Sequence, residues 1–166
     1  MQSQLKGAGL LALTVLMSLA LSGCWATQPG SEADDSTFQL PPYGVITTQQ
    51  AASVIVALQD DAEFVLLDIR TPAEVEAGHI SGATTLDYYS SSFRDDLAKL
   101  DRELTILIYC RTGNRTGQAY QIMQELGFEK VFDMGGGISQ WLAANYPLCL
   151  GALDAEHHCT GEFPIL

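Results

Sequence analysis

Short apolar runs that alternate with amphipathic stretches make up the hydrophobic pattern of the chain. Continuous apolar residues occupy positions 64–67 and, within the segment 105–109, positions 106–109; a shorter run lies within positions 130–133. A strand that is covered on both faces is apolar at nearly every position, whereas a half-exposed strand alternates apolar and polar residues. The three runs therefore predict three buried strands of a mainly parallel sheet.

Helix-start signals mark the first two predicted helices. Thr47 and Gln50 have the spacing of a capping box, and Thr71 and Glu74 repeat it with Pro72 at the first helical position. After the first cap, apolar residues recur at helical spacing at Ala51, Val54, Ile55 and Leu58. Both segments are therefore predicted to be helices.

Two further helices are predicted in the second half of the chain. A stripe with helical spacing ends at Gly127, a residue suited to the left-handed position that closes a helix. The stripe consists of Ala119, Ile122, Met123 and Leu126. A last helix is expected around Trp141. Because strands and helices alternate, we predict an α/β fold, in which residues 44–146 form a single domain with a mainly parallel central sheet flanked by helices.

The first residues carry the pattern of an export signal. Lys6 precedes an apolar run at residues 10–21, which as a helix spans only about 18 Å of a ~30 Å membrane core. This length fits the apolar region of a signal peptide. Residues 21–24 read Leu-Ser-Gly-Cys, which resembles the lipobox of bacterial lipoproteins. We therefore expect residues 1–23 to be a signal peptide and Cys24 to carry the lipid; an ordinary secretory signal with an incidental Cys24 is the alternative.

The segment after the lipobox predicts a tether to a membrane. Residues 24–43 are mostly polar, with proline, glycine and an acidic pair, and show no sustained period. Trp25 stands where an aspartate commonly marks inner-membrane retention in Gram-negative lipoproteins. The resemblance thus implies an exported, lipid-anchored protein, on the outer membrane and facing the periplasm if the cell is Gram-negative.

Composition supports a folded, acidic domain. Hydrophobic residues make up 47% of the 166 residues and charged ones 17%, so a packed core is expected rather than disorder. Twenty acidic residues against eight basic ones give a net charge of −12. Nucleic-acid binding needs a basic stripe, which this chain does not have, so we exclude it. Removing Lys6 with the signal makes the chain more negative still, so only a lipid would hold it on an anionic membrane.

The candidate reactive residue is Cys110, which directly follows the predicted strand at residues 105–109. In open parallel sheets, sites form where strands end and helices begin. Backbone N–H groups and a helix N-terminus at that position would lower the pKa of the thiol. Arg111 and Arg115 concentrate positive charge in the same loop of an acidic protein. The alternative is that Cys110 fills core space at a strand end.

Four segments in order resemble the rhodanese (thiosulfate sulfurtransferase) family over about residues 44–146. They are residues 67–74 (LDIRTPAE), 78–83 (GHISGA), 109–116 (YCRTGNRT) and the glycines 135–137 before Trp141. The resemblance implies that Cys110 takes the outer sulfur of a small anionic donor such as thiosulfate, becomes a persulfide and passes this sulfur to a thiol or cyanide. It implies no metal or organic cofactor.

The length of the loop separates two chemistries. From Cys110 to Arg115 there are four intervening residues, which makes a six-residue loop. The related cell-cycle phosphatases and arsenate reductases have one residue more, and their wider ring holds a tetrahedral phosphate or arsenate. Sulfur transfer is therefore favoured over phosphatase activity.

The resemblance also assigns roles inside and beside the loop. Arg111 and Thr112 would contact the anion, and Arg115 would brace the loop. Its shape would be set by Gly113, Asn114 and Thr116. Asp68 and Arg70 would support it by pairing with loop groups, including Arg115.

Three other family positions have a structural interpretation. His79 is a candidate base, but the family uses this position structurally, and a stable Cys110 thiolate needs no base. Glu74 is expected to cap a helix rather than act as an acid. The glycines at 135–137 are not followed by the lysine of a phosphate-binding loop, so they are expected to permit close backbone approach beside the active loop.

The tail at residues 147–166 lies beyond the family pattern. In an exported protein, Cys149 and Cys159 are expected to form a disulfide. One alternative is that the two cysteines form a metal site with His157 and His158. Another is that they act as a redox relay that resolves a Cys110 persulfide. For the whole chain, a catalytically silent protein-binding module and a thiol-redox protein are the rival functions.

Overall fold

The computed structural model describes residues 38–151, 153 and 158–160. The predicted signal peptide, Cys24 and most of the expected tether lie outside the described residues. Tyr43, the last residue of the expected tether, places its ring 4.8 Å from that of Phe132. Within the described part of the chain, no helix has both the length and the apolar character needed to cross a membrane.

Five parallel strands form the central sheet, in the order β1-β5-β4-β2-β3. The α/β class and the mainly parallel sheet predicted from the hydrophobic pattern are confirmed. The strands are β1 (Gly44–Ile46), β2 (Phe64–Asp68), β3 (Thr84–Thr85), β4 (Thr105–Tyr109) and β5 (Val131–Met134). β1 and β3 were not predicted, because two or three residues are too few to show a period.

Helices cover both faces of this sheet. They are α1 (Thr48–Leu58), α2 (Pro72–Glu76), α3 (Phe93–Leu97), α4 (Asn114–Glu125) and α5 (Gly137–Ala143). Both predicted capping boxes are present, at Thr47 with Gln50 and at Thr71 with Glu74. Gly127 has the left-handed conformation expected after α4, with φ +86°. Only the short α3 was not predicted from the pattern.

Central strand β4 explains where the core lies. Leu107 and Tyr109 belong to a buried cluster shared with α1 and α5, whereas Ile106 and Ile108 belong to a second cluster shared with α3 and α4. Successive side chains of a strand point to opposite faces, so a strand buried on both faces is apolar throughout. Because β2, β4 and β5 run in parallel, their carboxyl ends meet at one edge of the sheet.

A two-stranded antiparallel hairpin follows the domain core. It consists of β6 (Leu148–Leu150) and β7 (His158–Thr160), with Cys149 opposite Cys159. A disulfide joins these two cysteines in the structure. Cys149 is fully buried and exchanges backbone hydrogen bonds of 2.8 and 2.9 Å with His79. The tail is thereby attached to the turn that follows α2.

The disulfide should stabilise the hairpin and its contact with the domain. The paired cysteines are ten residues apart, so closing this loop is worth about 2–3 kcal/mol at most. We expect Cys159→Ser to lower the free energy of unfolding by up to this amount, measured by urea denaturation under oxidising conditions. Cys159 is exposed, so serine fits there without a buried cavity. An unchanged midpoint for Cys159→Ser would contradict a bond that contributes to stability.

Candidate active site

Cys110 lies at the carboxyl edge of the sheet, directly after β4. Gly113 has a φ of +93°, a left-handed conformation that turns the chain directly into α4. The helix therefore begins at Asn114, earlier than expected, and Arg115 and Thr116 belong to its first turn rather than to a loop before it. This early start directs the unpaired N–H groups of a helix N-terminus at the thiol.

Backbone N–H groups surround the sulfur of Cys110. The N–H of Gly113 donates to Sγ at 3.2 Å, and the side chain of Cys110 is almost completely buried, with the residue 1% exposed. Burial alone raises the pKa of the thiol. Hydrogen bonds from the backbone of Thr116, Thr112, Gly113 and Arg115 oppose burial and hold the pKa below its usual value. The expected lowering of the pKa is thus due chiefly to backbone groups rather than to arginine side chains.

Thr116 links the sulfur to the loop backbone. Its hydroxyl oxygen lies 3.9 Å from Sγ and its hydroxyl donates to the carbonyl of Gly113 at 3.0 Å. Thr116 is completely buried. The residue therefore maintains the loop around the sulfur, consistent with the shaping role expected for it.

The start of α5 lies very close to the backbone of the active loop, and this close approach is the reason for glycine before α5. Ile138 N–H donates to the carbonyl of Cys110 at 2.9 Å, and Ser139 N–H to that of Arg111 at 3.0 Å. Gly137 has a φ of +57°, and a Cβ there would collide with the carbonyl of Cys110 and lie 2.7 Å from that of Arg111. At this position only glycine lets α5 hydrogen-bond to the active loop, as the sequence predicts.

Arg115 is held by Glu74 across the edge of the sheet. Its two terminal nitrogens donate to the two carboxylate oxygens at 2.7 and 2.8 Å. The same carboxylate accepts the N–H of Thr71 at 3.1 Å, so it also caps α2. Hydrogen bonding from Arg115 lowers the pKa of Glu74 to about 2, against an opposing effect of burial. Glu74 therefore has the capping role expected and, in addition, a bracing role that was not foreseen.

The expected pairing of Asp68 and Arg70 with Arg115 is wrong. Arg70 pairs with Asp68 at 2.6 Å, in a buried ion pair. The guanidinium also donates to the carbonyls of Glu74 at 3.0 Å and Gly78 at 2.7 Å. A fully buried carboxylate needs a cation, and the nearby Arg70 supplies it. The pair thus holds α2 against β2 and supports the active loop only indirectly.

His79 has structural contacts, in keeping with the expectation that it is not a base. The residue is fully buried, and Nδ1 lies 3.2 Å from the carbonyl of Val75. Its backbone carries the hydrogen bonds to Cys149 in the hairpin. These contacts connect α2 with the hairpin.

Asp133 is a buried acid that sequence reasoning missed. It lies in β5, opposite Ile108 of β4, and is 3% exposed. Burial raises the pKa of its carboxyl, and a hydrogen bond with Thr116 opposes that rise. An acidic residue inside an otherwise apolar strand was the signal that could have drawn attention to it. Thr116, whose hydroxyl oxygen lies 3.9 Å from Sγ, thus connects the carboxyl of Asp133 with the sulfur site.

Arg111 and Thr112 are exposed at the mouth of the loop. Among the described residues, the guanidinium of Arg111 has no hydrogen-bond or ion-pair partner, so its cation is available to an incoming anion. Asn114 is exposed and begins α4. In the described part of the chain, no three His, Cys, Asp or Glu side chains are grouped so that they could hold a metal ion.

The ion pair of Glu74 with Arg115 should make stability depend on acid pH. A depressed carboxyl pKa stabilises the fold above the unfolded value near 4.5, and this contribution is lost as the pH falls toward about 2. We expect Glu74→Gln, which retains the capping side chain, to lower the free energy of unfolding by about 1–3 kcal/mol at pH 7. The difference should shrink progressively between pH 4.5 and 2, measured by thermal unfolding.

A matched control is Glu125→Gln, which removes the partner of Arg94 in a pair exposed on both sides. Exposed pairs contribute little, so this variant should differ from the native protein by less than about 1 kcal/mol. Equal destabilisation by Glu74→Gln at pH 7 and pH 2 would show that the charge is not responsible.

Comparison with known proteins identifies the domain. The sequence model described as Rhodanese-like domain matches residues 51–144. A sulfurtransferase from Allochromatium vinosum is 33% identical over 91 residues, which cover 55% of this chain and 83% of that protein. The thiosulfate sulfurtransferase GlpE of Pseudomonas entomophila is 36% identical over 83 residues, covering 50% of this chain and 73% of that protein.

Solved structures agree with the sequence comparison. A rhodanese-related protein from Thermoplasma volcanium superimposes with a TM-score of 0.53 at 26% identity, covering 68% of this chain and all of that chain. The hairpin with Cys149 and Cys159 lies beyond the residues that the family model matches. Since that match spans more than half of the 166 residues and the relatives share most of their own length with it, the chain belongs to the rhodanese-like domain family.

Proposed function

We propose that this protein is a sulfurtransferase that moves sulfane sulfur from thiosulfate, or a similar small anion, to a thiol or cyanide through a persulfide on Cys110. The observation that carries the proposal is the environment of the thiol. The N–H of Gly113 donates to the sulfur at 3.2 Å, and hydrogen bonding by the backbone of Thr112, Gly113, Arg115 and Thr116 lowers the pKa of the thiol although it is buried. A thiolate at neutral pH is the nucleophile that this chemistry requires.

In the first half-reaction, the Cys110 thiolate attacks the outer sulfur of thiosulfate. A new S–S bond forms at Cys110, the original S–S bond breaks, and sulfite leaves with its electron pair. The outer sulfur of the persulfide then carries the negative charge. Preorganised N–H groups favour such an anion without having to reorient during the reaction.

Arg111 supplies the positive charge for a donor anion. The protein carries a net charge of −12, so an anion approaches against a repulsive field. An exposed guanidinium beside Cys110, with no side-chain partner among the described residues, offsets this repulsion locally. Arg115 is committed to Glu74 and therefore shapes the loop rather than binding the anion.

The size of the loop supports sulfur transfer over phosphatase activity. Four residues separate Cys110 from Arg115, one fewer than in the related phosphatases, and Gly113 turns sharply so that α4 starts within this interval. The N–H groups therefore converge on Sγ itself. A tetrahedral phosphate would need a wider ring.

The experiment is thiosulfate:cyanide sulfur transfer by the native protein and by Cys110→Ser. We expect thiocyanate formation by the native protein and none above background by the variant, because a serine hydroxyl cannot accept sulfur at neutral pH. Mass spectrometry after treatment with thiosulfate should show an addition of about 32 Da on Cys110, the mass of one sulfur atom.

The rival functions give other results in the same experiment. A silent binding module would show neither thiocyanate nor added mass in the native protein. A thiol-redox protein would instead show Cys110 in a disulfide. Equal thiocyanate production by native protein and Cys110→Ser would defeat the proposed mechanism.

We also propose that the protein is anchored to a membrane through lipid on Cys24. The support is the Leu-Ser-Gly-Cys sequence after a short apolar run. Cys24→Ala should abolish lipidation and processing at residue 24, with Cys110→Ser as the control that retains both. The measurement is the mass of the N-terminal peptide together with fractionation of cell membranes. A Cys24→Ala protein that is still processed and membrane-bound would refute the anchor.

A further inference from the structure

A cleft of about 290 Å³ opens beside the active loop. Arg111 lies on its loop side, Ile138, Ser139 and Leu142 come from α5, and Leu148 comes from the hairpin. The remaining charged side chains in its wall, Arg70 and Glu74, are already paired with other residues. The surface left for a ligand is therefore mainly apolar, apart from Ser139 and the available cation of Arg111 at the loop.

The wall of the cleft is hydrogen-bonded to the backbone of the active loop. Ile138 and Ser139, which line it, donate backbone hydrogen bonds to the carbonyls of Cys110 and Arg111 at 2.9 and 3.0 Å. A molecule in the cleft therefore lies next to the segment that carries the sulfur.

One wall of the cleft comes from the hairpin. Leu148 packs so closely on Gly78 that a Cβ at position 78 would lie 2.5 Å from its side chain. The hairpin is held there by the hydrogen bonds between Cys149 and His79 and by a bond of 3.1 Å from the N–H of Gly151 to the carbonyl of Glu76. The hairpin, and with it this wall, lies outside the residues that match the family model.

The volume and the lining indicate a small ligand with an apolar body. A cleft of 290 Å³ is several times larger than the ~30 Å³ that one water molecule occupies in the liquid, so it has room for a molecule of several non-hydrogen atoms. Leu142 is 47% exposed, so a ligand that covers it removes apolar surface from water. Cyanide or sulfite alone would leave most of this cleft unfilled.

We propose that this cleft binds the sulfur acceptor, and that the acceptor is a small thiol with an apolar chain. The inference rests on the proposed function and specifies its second substrate. The acceptor thiolate attacks the outer sulfur of the Cys110 persulfide, and a new S–S bond forms in the acceptor. The S–S bond to Cys110 breaks, and Cys110 leaves as a thiolate. One persulfide is exchanged for another, so the step needs no oxidant or reductant.

The experiment follows the second half-reaction in isolation. Cys110 is loaded with thiosulfate, excess donor is removed, and the added mass on Cys110 is followed after mixing with ω-mercaptoalkanoates that contain two to seven methylenes. For each protein, the rate constants are expressed relative to cyanide, an acceptor without an apolar body. In the native protein we expect the second-order rate constant to rise with chain length, by up to about fourfold for each methylene that becomes buried.

Two leucine variants test whether the cleft is responsible. Leu142→Ser should flatten the dependence on chain length. Leu150→Ser is the matched control: Leu150 is 48% exposed, close to the 47% of Leu142, but it does not line the cleft. It should retain the native slope. Both side chains are half-exposed, so neither serine leaves a buried cavity.

The outcomes separate this inference from the proposed function. If Cys110 loads and cyanide unloads it, but the rates do not depend on chain length, the proposed function stands and the acceptor cleft is wrong. A slope that falls equally in Leu142→Ser and Leu150→Ser would also overturn the cleft. If thiosulfate does not load Cys110 in the native protein, both the proposed function and this inference fail.

Discussion

The candidate active site depends on one interaction, between the buried sulfur of Cys110 and the backbone N–H groups at the start of a helix. Burial disfavours a thiolate, so the anion is stable only if donors replace the water that it has lost. Those donors belong to the turn at Gly113 and the first residues of α4, and they converge on Cys110 because β4 ends directly before it. The sheet thus fixes the position of the end of β4, and the end of β4 fixes the position of Cys110.

The three arginines around the loop have different roles because their side chains differ in their partners. Arg70 is buried with Asp68 and joins β2 to α2, whereas Arg115 is joined to Glu74 and braces the first turn of α4. Arg111 remains exposed, and its guanidinium has no partner in the described part of the chain. In a protein with so many acidic residues, an arginine that lacks a carboxylate partner is the one able to attract an anion.

The hairpin adds a surface to a common fold. Its disulfide and its hydrogen bonds to His79 place Leu148 beside the active loop, outside the residues that the family model matches. The matched core contains Cys110, and the tail that follows this core lines part of the cleft next to the active loop. Function that varies between relatives is generally located in such additions rather than in the core.

Local patterns were sufficient to predict most of the fold. The apolar runs at β2, β4 and β5, the two capping boxes and Gly127 act over a few residues, and each was visible in the order of amino acids. Cys110 was also predicted as the reactive residue, because a strand end followed by glycine and arginines is a local signal. By contrast, the partner of Arg115 lies 41 residues away, and Asp68 pairs with Arg70 instead. Glu74 and Asp133 acquire their contacts from chain segments that meet only after folding. The sequence therefore determined the elements and pointed to Cys110. The tertiary structure alone decided which charges pair and which residues line the cleft beside the active loop, because those contacts join residues far apart in the chain.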